Sequence, residues 1–193
     1  IITGAAGVFS LGYFSNWLAD GLAAFSLFLY AFIYTPLKKV NSIAVLAGAV
    51  PGALPCLIGW AAGDNALTLG GWILFAFQFF WQFPHFWSMG FLSYDQYRNA
   101  GYKLLPEDNG QIDRRLGMQT FIYSCLLLPV IGAGYLMQLI SPVGALALVA
   151  VSFYFIWKAW VFHKKFDRAS ARALMFSSFI FLPLALMALW WGM

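Results

Sequence analysis

Three groups of residues in this sequence could do chemistry, and each stands out because polar side chains are scarce around it. Gln78, Gln82, His85 and Met89 recur at i, i+4, i+7 and i+11, the spacing of one helical face. Their neighbours are Phe and Trp, so one polar stripe runs down an otherwise lipid-compatible segment. Polar groups buried in a membrane generally face a bundle interior or a cavity. His85 is then either a hydrogen-bonded packing residue or a group in an open cavity. At 1.5 Å per residue it lies about 10 Å inside its segment, and Pro84 tends to kink the helix beside it.

The second group is Tyr34 and Lys38, an i, i+4 pair followed by Lys39 and Asn41. They read either as an interfacial aromatic with a snorkelling lysine or as a phenol and an ammonium aimed at one anionic substrate. The third is Asp95 with Asn99 four residues on, Tyr97 and Arg98 between them and Lys103 beyond. One carboxylate there could hold Mg²⁺, which takes one or two carboxylates together with substrate phosphates and water. Glu107, Asp108 and Asp113 read as solvated charges. His163, beside Lys164 and Lys165, reads as a solvated neighbour of lipid headgroups.

The elements that must position these groups are transmembrane helices. The chain is 62% hydrophobic, 20% aromatic and only 9% charged, far below the ~25% charge of a soluble domain. Apolar runs of about 20 residues, each long enough to cross a bilayer, predict seven spans. They cover residues 1–13, 16–34, 43–62, 70–92, 118–140, 143–162 and 174–191. Gly48 with Gly52, and Gly59 with Gly63, carry the four-residue spacing that lets helices approach closely. The loop from Ser93 to Gly117 is the exception in length, and long loops are usually functional or disordered. Its tyrosines and the Leu104-Leu105-Pro106 turn predict an ordered cap over residues 93–117.

All 11 Lys and Arg residues fall at the second, fourth and sixth connections, whereas the opposite side offers only Asp20 and Asp64. The positive-inside rule puts the basic side in the cytoplasm. The net charge of +4 follows from topology and contact with anionic lipid, and nothing forms a basic domain that would bind nucleic acid. Cys56 and Cys125 fall inside spans and read as small apolar residues, not a disulfide.

Together, YTPLKKVN, GAVPGALPCLIGW and FFWQFPHFWSMGFLSYDQYRNAGYKLLP resemble the protohaem IX farnesyltransferases, a branch of the UbiA superfamily of intramembrane prenyltransferases. The resemblance implies an all-α, polytopic bundle of nine helices, seven of them present here within a single domain over residues 1–193. It implies transfer of a farnesyl group from farnesyl diphosphate to a vinyl group of protohaem IX, on the cytoplasmic face of a bacterial inner membrane. The catalytic residues it implies are Tyr34 and Lys38, matching the family's Y-x-x-x-K, and Asp95 as a Mg²⁺ ligand. Lys39, Asn41, Gln78, Gln82, His85, Tyr97, Arg98, Asn99 and Lys103 would bind substrate, Arg98 and Lys103 near the haem propionates. Asn99 stands where relatives carry a second Asp, and Gln96 where many carry another acid. The family's first acidic motif, N-x-x-x-D-x-x-x-D, does not occur. The expectation is that the natural N-terminus precedes Ile1, and that these 193 residues alone are inactive. A quinone-precursor or chlorophyllide acceptor, or a non-catalytic haem-handling carrier, are the competing readings.

Overall fold

A computed structural model describes residues 2–192, with side chains throughout except at residues 2, 5 and 189–192. Ile1, at the head of the first expected span, and Met193 lie outside the described residues. The chain is almost wholly helical and forms two compact units, residues 1–79 and 80–193. Among the described residues five helices are long and apolar enough to cross a membrane: Trp17–Leu37, Ala44–Asp64, Arg115–Leu136, Pro142–Lys165 and Arg168–Ala188.

Two of the seven expected spans fall outside that group for different reasons. Helix α1 (Ile2–Phe14) has 13 residues, too few for a ~30 Å hydrocarbon core. Helix α5 (Leu69–Leu92) has 24 residues, about 36 Å at 1.5 Å each. Its two glutamines, histidine, proline and three indoles dilute the hydropathy that its phenylalanines supply.

In the first unit, α2 (Trp17–Phe28) runs without a break into a π-helical turn, Leu29–Tyr34, and a short α3 (Thr35–Leu37). Pro36 has no N–H to give, and the wide turn ends just ahead of it. Thr35 compensates by donating both its amide and its hydroxyl to the Tyr30 carbonyl, the hydroxyl at 2.8 Å. Helix α4 (Ala44–Asp64) carries Pro51 and Pro55 inside it. Pro55 cannot supply the amide that the Pro51 carbonyl would accept four residues on. The Ser26 hydroxyl of α2 donates to that carbonyl instead, at 3.3 Å. Asn16 does two jobs at the other end: its Oδ1 accepts from the Ala19 amide at 2.9 Å and caps α2, while its Nδ2 donates to the Ala61 carbonyl at 2.7 Å. Of the glycines expected to mediate packing in α4, Gly48 does so, but Gly59 and Gly63 face open space.

The turn from α4 into α5 is built round Trp60. Its indole lies over Gly70 and Gly71, where a Cβ would come within 2.5 Å and 2.9 Å of the ring. Its Nε1 donates to Thr68 Oγ1 at 2.7 Å. Asn65 takes the left-handed conformation that ends α4, a role suited to Asn.

In the second unit, α6 (Tyr94–Asn99) and a two-residue hairpin, β1 (Glu107–Asp108) with β2 (Gln111–Ile112), occupy most of the expected cap. Asn109 and Gly110 both have positive φ and make the Asn-Gly turn that favours a tight hairpin. Leu105 is buried and seats on Gly90 of α5, where a Cβ would meet its side chain at 3.1 Å.

The fifth expected span is two helices, α7 (Arg115–Cys125) and α8 (Leu127–Leu136). Pro129 explains the break, since it leaves the Cys125 carbonyl without an i+4 donor. Helix α9 (Pro142–Lys165) is capped by Ser141, which accepts from the Gly144 amide at 3.1 Å. Helix α10 (Arg168–Gly192) starts six residues before the expected Leu174 because Asp167 caps it. The two helices pack together, and Leu148, Ser152, Phe155, Ala159 and Phe162 on α9 and Ala171, Leu174, Ser178, Phe181 and Ala185 on α10 are all buried. Phe155 and Phe181 stack at 4.8 Å between ring centres. Residues 171, 174, 178, 181 and 185 alternate steps of three and four, the seam of closely packed helices.

Candidate functional site

In the first unit, the π turn delivers Tyr34 to a notch in α4. A Cβ on Gly48 would lie 2.7 Å from Tyr34 Cδ2, so only glycine lets the ring rest there. The regular α-helical bond from the Lys38 amide to the Tyr34 carbonyl, 3.0 Å, puts Lys38 one turn on. Its ammonium lies 5.8 Å from the centre of the Tyr34 ring, a cation–π distance. The phenol and the ammonium therefore share one face, and both are half-buried. Lys39 is exposed beside them. Asn41 turns its Oδ1 back to accept from the Ile43 amide at 3.1 Å, so that oxygen starts α4 and is not offered to a ligand.

In the second unit, α5 presents Gln82 buried at 2% exposure, with His85 and Met89 half-buried one and two turns on. Gln78 is half-buried a turn earlier on the same helix. The His85 ring stacks on Trp81 with centres 5.0 Å apart and planes 11° from parallel, and it meets Phe179 edge-on at 5.1 Å. Its Nδ1 lies 2.7 Å from Ser178 Oγ on α10. Nothing in the sequence signalled this partner, 93 residues away. Ser88, fully buried, donates to the His85 carbonyl at 2.8 Å in the stretch of helix that Pro84 weakens.

Asp95 and Asn99 stand one turn apart on α6, both exposed, with Tyr97 half-buried between them. Arg98 is exposed, but it is tied to the hairpin: its Nη1 donates to the Gly110 carbonyl at 3.2 Å. The Tyr94 phenol reaches the same carbonyl at 3.4 Å. Its partial burial, and Glu107 beside it, push that phenol above its ordinary pKa. Lys103 is exposed. No group of three or more acids, histidines or cysteines is assembled among the described residues. What α6 offers a cation is the exposed Asp95 carboxylate with the exposed Asn99 amide one turn on.

His163 departs from its expected solvated state. Gly117 packs against its backbone, its ring faces Trp160 at 5.4 Å, and its Nδ1 is buried with no hydrogen bond among the described residues. Cys56 and Cys125 are free thiols.

The model of the UbiA prenyltransferase family matches residues 1–190. A protein of Flavobacterium johnsoniae named protoheme IX farnesyltransferase is 42% identical over 178 residues, covering 89% of this chain and 58% of the relative. Proteins of the same name from Cytophaga hutchinsonii and Koribacter versatilis are 38% and 36% identical, covering 97% and 95% of this chain and 67% and 61% of those relatives. The chain thus spans about three-fifths of the length of curated relatives that it matches. No solved structure matches it.

Proposed function

This chain belongs to the UbiA prenyltransferase family, and on that premise we propose that its activity is farnesyl transfer from farnesyl diphosphate to a vinyl group of protohaem IX. The observation that carries the reading is the 42% identity, over 89% of the chain, to a protein named protoheme IX farnesyltransferase. In the reaction the allylic C1–O bond breaks and diphosphate leaves with the electron pair. The haem vinyl carbon bonds to the allylic cation, and water adds to the adjacent carbon and loses a proton. The products are the hydroxyethylfarnesyl haem and diphosphate.

The residues divide this work by chemistry. Lys38 neutralises charge that builds on the departing diphosphate, where a preplaced cation stabilises the transition state most. Tyr34 offers a π-face to the allylic cation, and its seat on Gly48 keeps that face in place. Asp95, with Asn99, would hold Mg²⁺, which when bound supplies further positive charge to the diphosphate. Lys39 and Lys103 are exposed cations for anionic parts of the substrates, whereas Arg98 is partly committed to its hairpin. Gln78, Gln82 and His85 line the haem side. The multi-pass chain would work from the cytoplasmic face of a bacterial inner membrane, the side to which its positive charges assign the Tyr34 and Asp95 segments.

The test is product formation. The 193 residues, and separately the complete reading frame of the gene that encodes them, are placed in lipid nanodiscs with haem, farnesyl diphosphate and Mg²⁺. The haem is then analysed by mass spectrometry. The expected result is farnesylated, hydrated haem from the complete reading frame. A farnesylated quinone precursor or chlorophyllide in parallel assays, with haem unchanged, overturns the choice of acceptor. Haem binding without any transfer points to a carrier.

A further inference from the structure

We infer that Ser178 is a positioning residue that locks His85 as its Nδ1–H tautomer and leaves Nε2 a bare lone pair for the iron of the porphyrin substrate. The inference rests on the haem acceptor proposed above. Its starting point is a count of protons. Ser178 Oγ carries one, and it lies 2.5 Å from the Met175 carbonyl oxygen, a separation two oxygens reach only with a proton between them. The hydroxyl is therefore spent as a donor and can only accept from His85 Nδ1, 2.7 Å away. Nδ1 must bring the proton. In a neutral imidazole the other nitrogen is then unprotonated.

The surroundings keep the ring in that state and that orientation. Trp81 stacks on one face and Phe179 meets the ring edge-on, so no counter-ion for an imidazolium comes from these walls. Ser178 is fully buried, and its oxygen is held between the Met175 carbonyl and His85 Nδ1. No described residue donates a hydrogen bond to Nε2. A histidine serving only to pack would leave that lone pair idle. A metal-binding histidine characteristically uses its second nitrogen to donate to a fixed acceptor, which sets the tautomer and raises the basicity of the first. The Ser178 hydroxyl, polarised by donating to Met175, is such an acceptor. Imidazole nitrogen is also a usual axial ligand of porphyrin iron.

Two measurements test this, and only the second involves haem. The sequence has two histidines, so ¹⁵N-histidine labelling of a His163→Gln background leaves His85 as the sole reporter. Nitrogen NMR of the chain in nanodiscs should show a protonated Nδ1 and a bare Nε2. In Ser178→Ala the ring should shift toward the opposite tautomer or a mixture, and in Ser178→Thr, which keeps the hydroxyl, it should stay as in the parent. A bare Nδ1 in the parent overturns the inference whatever the substrate. Ferric protoporphyrin IX is then titrated in and followed by its Soret band and electron paramagnetic resonance. Nitrogen ligation should appear in the parent, vanish in His85→Ala, weaken ten-fold or more in Ser178→Ala, and return in Ser178→Thr. Equal iron ligation in parent and Ser178→Ala overturns the positioning role, and haem bound without nitrogen ligation overturns the iron contact. In either case product formation still decides the acceptor separately. Matching unfolding midpoints confirm that each variant is folded.

Discussion

At the scale of single residues, the pairing of Tyr34 with Gly48 shows how one missing side chain can set a functional group. Gly48→Ala would put a methyl group into the Tyr34 ring at 2.7 Å. Overpacking of this kind costs about 1–3 kcal/mol. The expected result is a lower unfolding midpoint and a larger loss in turnover with farnesyl diphosphate than the stability loss explains. Loss of stability with turnover intact would mean that the position of the ring is immaterial. The Tyr34–Lys38 pair and the Gln82–His85 stripe could be read from spacing alone, because local helical geometry fixes both. Ser178 and the buried Nδ1 of His163 could not, since both depend on which helices pack together. Gly48 packs as its spacing suggests, against the Tyr34 ring from the preceding segment, while Gly59 and Gly63 meet nothing among the described residues.

At the scale of elements, most surprises lie where a helix begins, ends or changes pitch. The π turn before Thr35, the break before Pro129 and the early start of α10 each trace to one residue that withholds or supplies a hydrogen bond. The hairpin was signalled by Asn109-Gly110, a pattern easily overlooked in a chain dominated by helices. Asp167 gives the α10 cap a pH dependence. Its Oδ1 accepts from the Ser170 amide and hydroxyl, both at 2.7 Å, and these bonds hold its carboxyl below the ordinary value. A carboxyl lowered by folding contributes stability above the unfolded value of about 3.9, and that contribution is lost as pH falls through the folded value. Asp167→Ala should therefore lower the unfolding midpoint at neutral pH, with Asp167→Asn intermediate. The gap between Asp167→Ala and the parent should close on acidification past the carboxylate range. A gap that persists in acid would mean the cap does not depend on charge.

At the scale of the whole molecule, composition gave the class, because the bilayer permits few solutions for so apolar a chain, and charge gives a topology to be tested. Span ends were less legible, since hydropathy does not register caps, and α5 is the helix whose functional residues most dilute its apolar signal. The one-sided distribution of Lys and Arg predicts that residues 65–68 face away from the cytoplasm and α6 faces it. With Cys56 and Cys125 replaced by Ala, Ala66→Cys should react with an impermeant maleimide in intact cells. Asn99→Cys should react only after permeabilisation. The reverse pattern would invert the topology and with it the side from which diphosphate enters.

The corner at Trp60 bears on how such a chain is made. The indole of α4 is completed by Thr68, Gly70 and Gly71, residues that follow it by only about a dozen positions. A ribosome releasing this segment exposes Trp60 before its seat exists, and supplies the seat almost at once. The two flanking helices are thus expected to close on each other as a pair, with the indole shielded as soon as the second helix begins to form. Bulkier side chains at residues 70 and 71 would leave that pair unable to close during synthesis, and the damage would appear as poor yield in the membrane before any loss in the reaction itself.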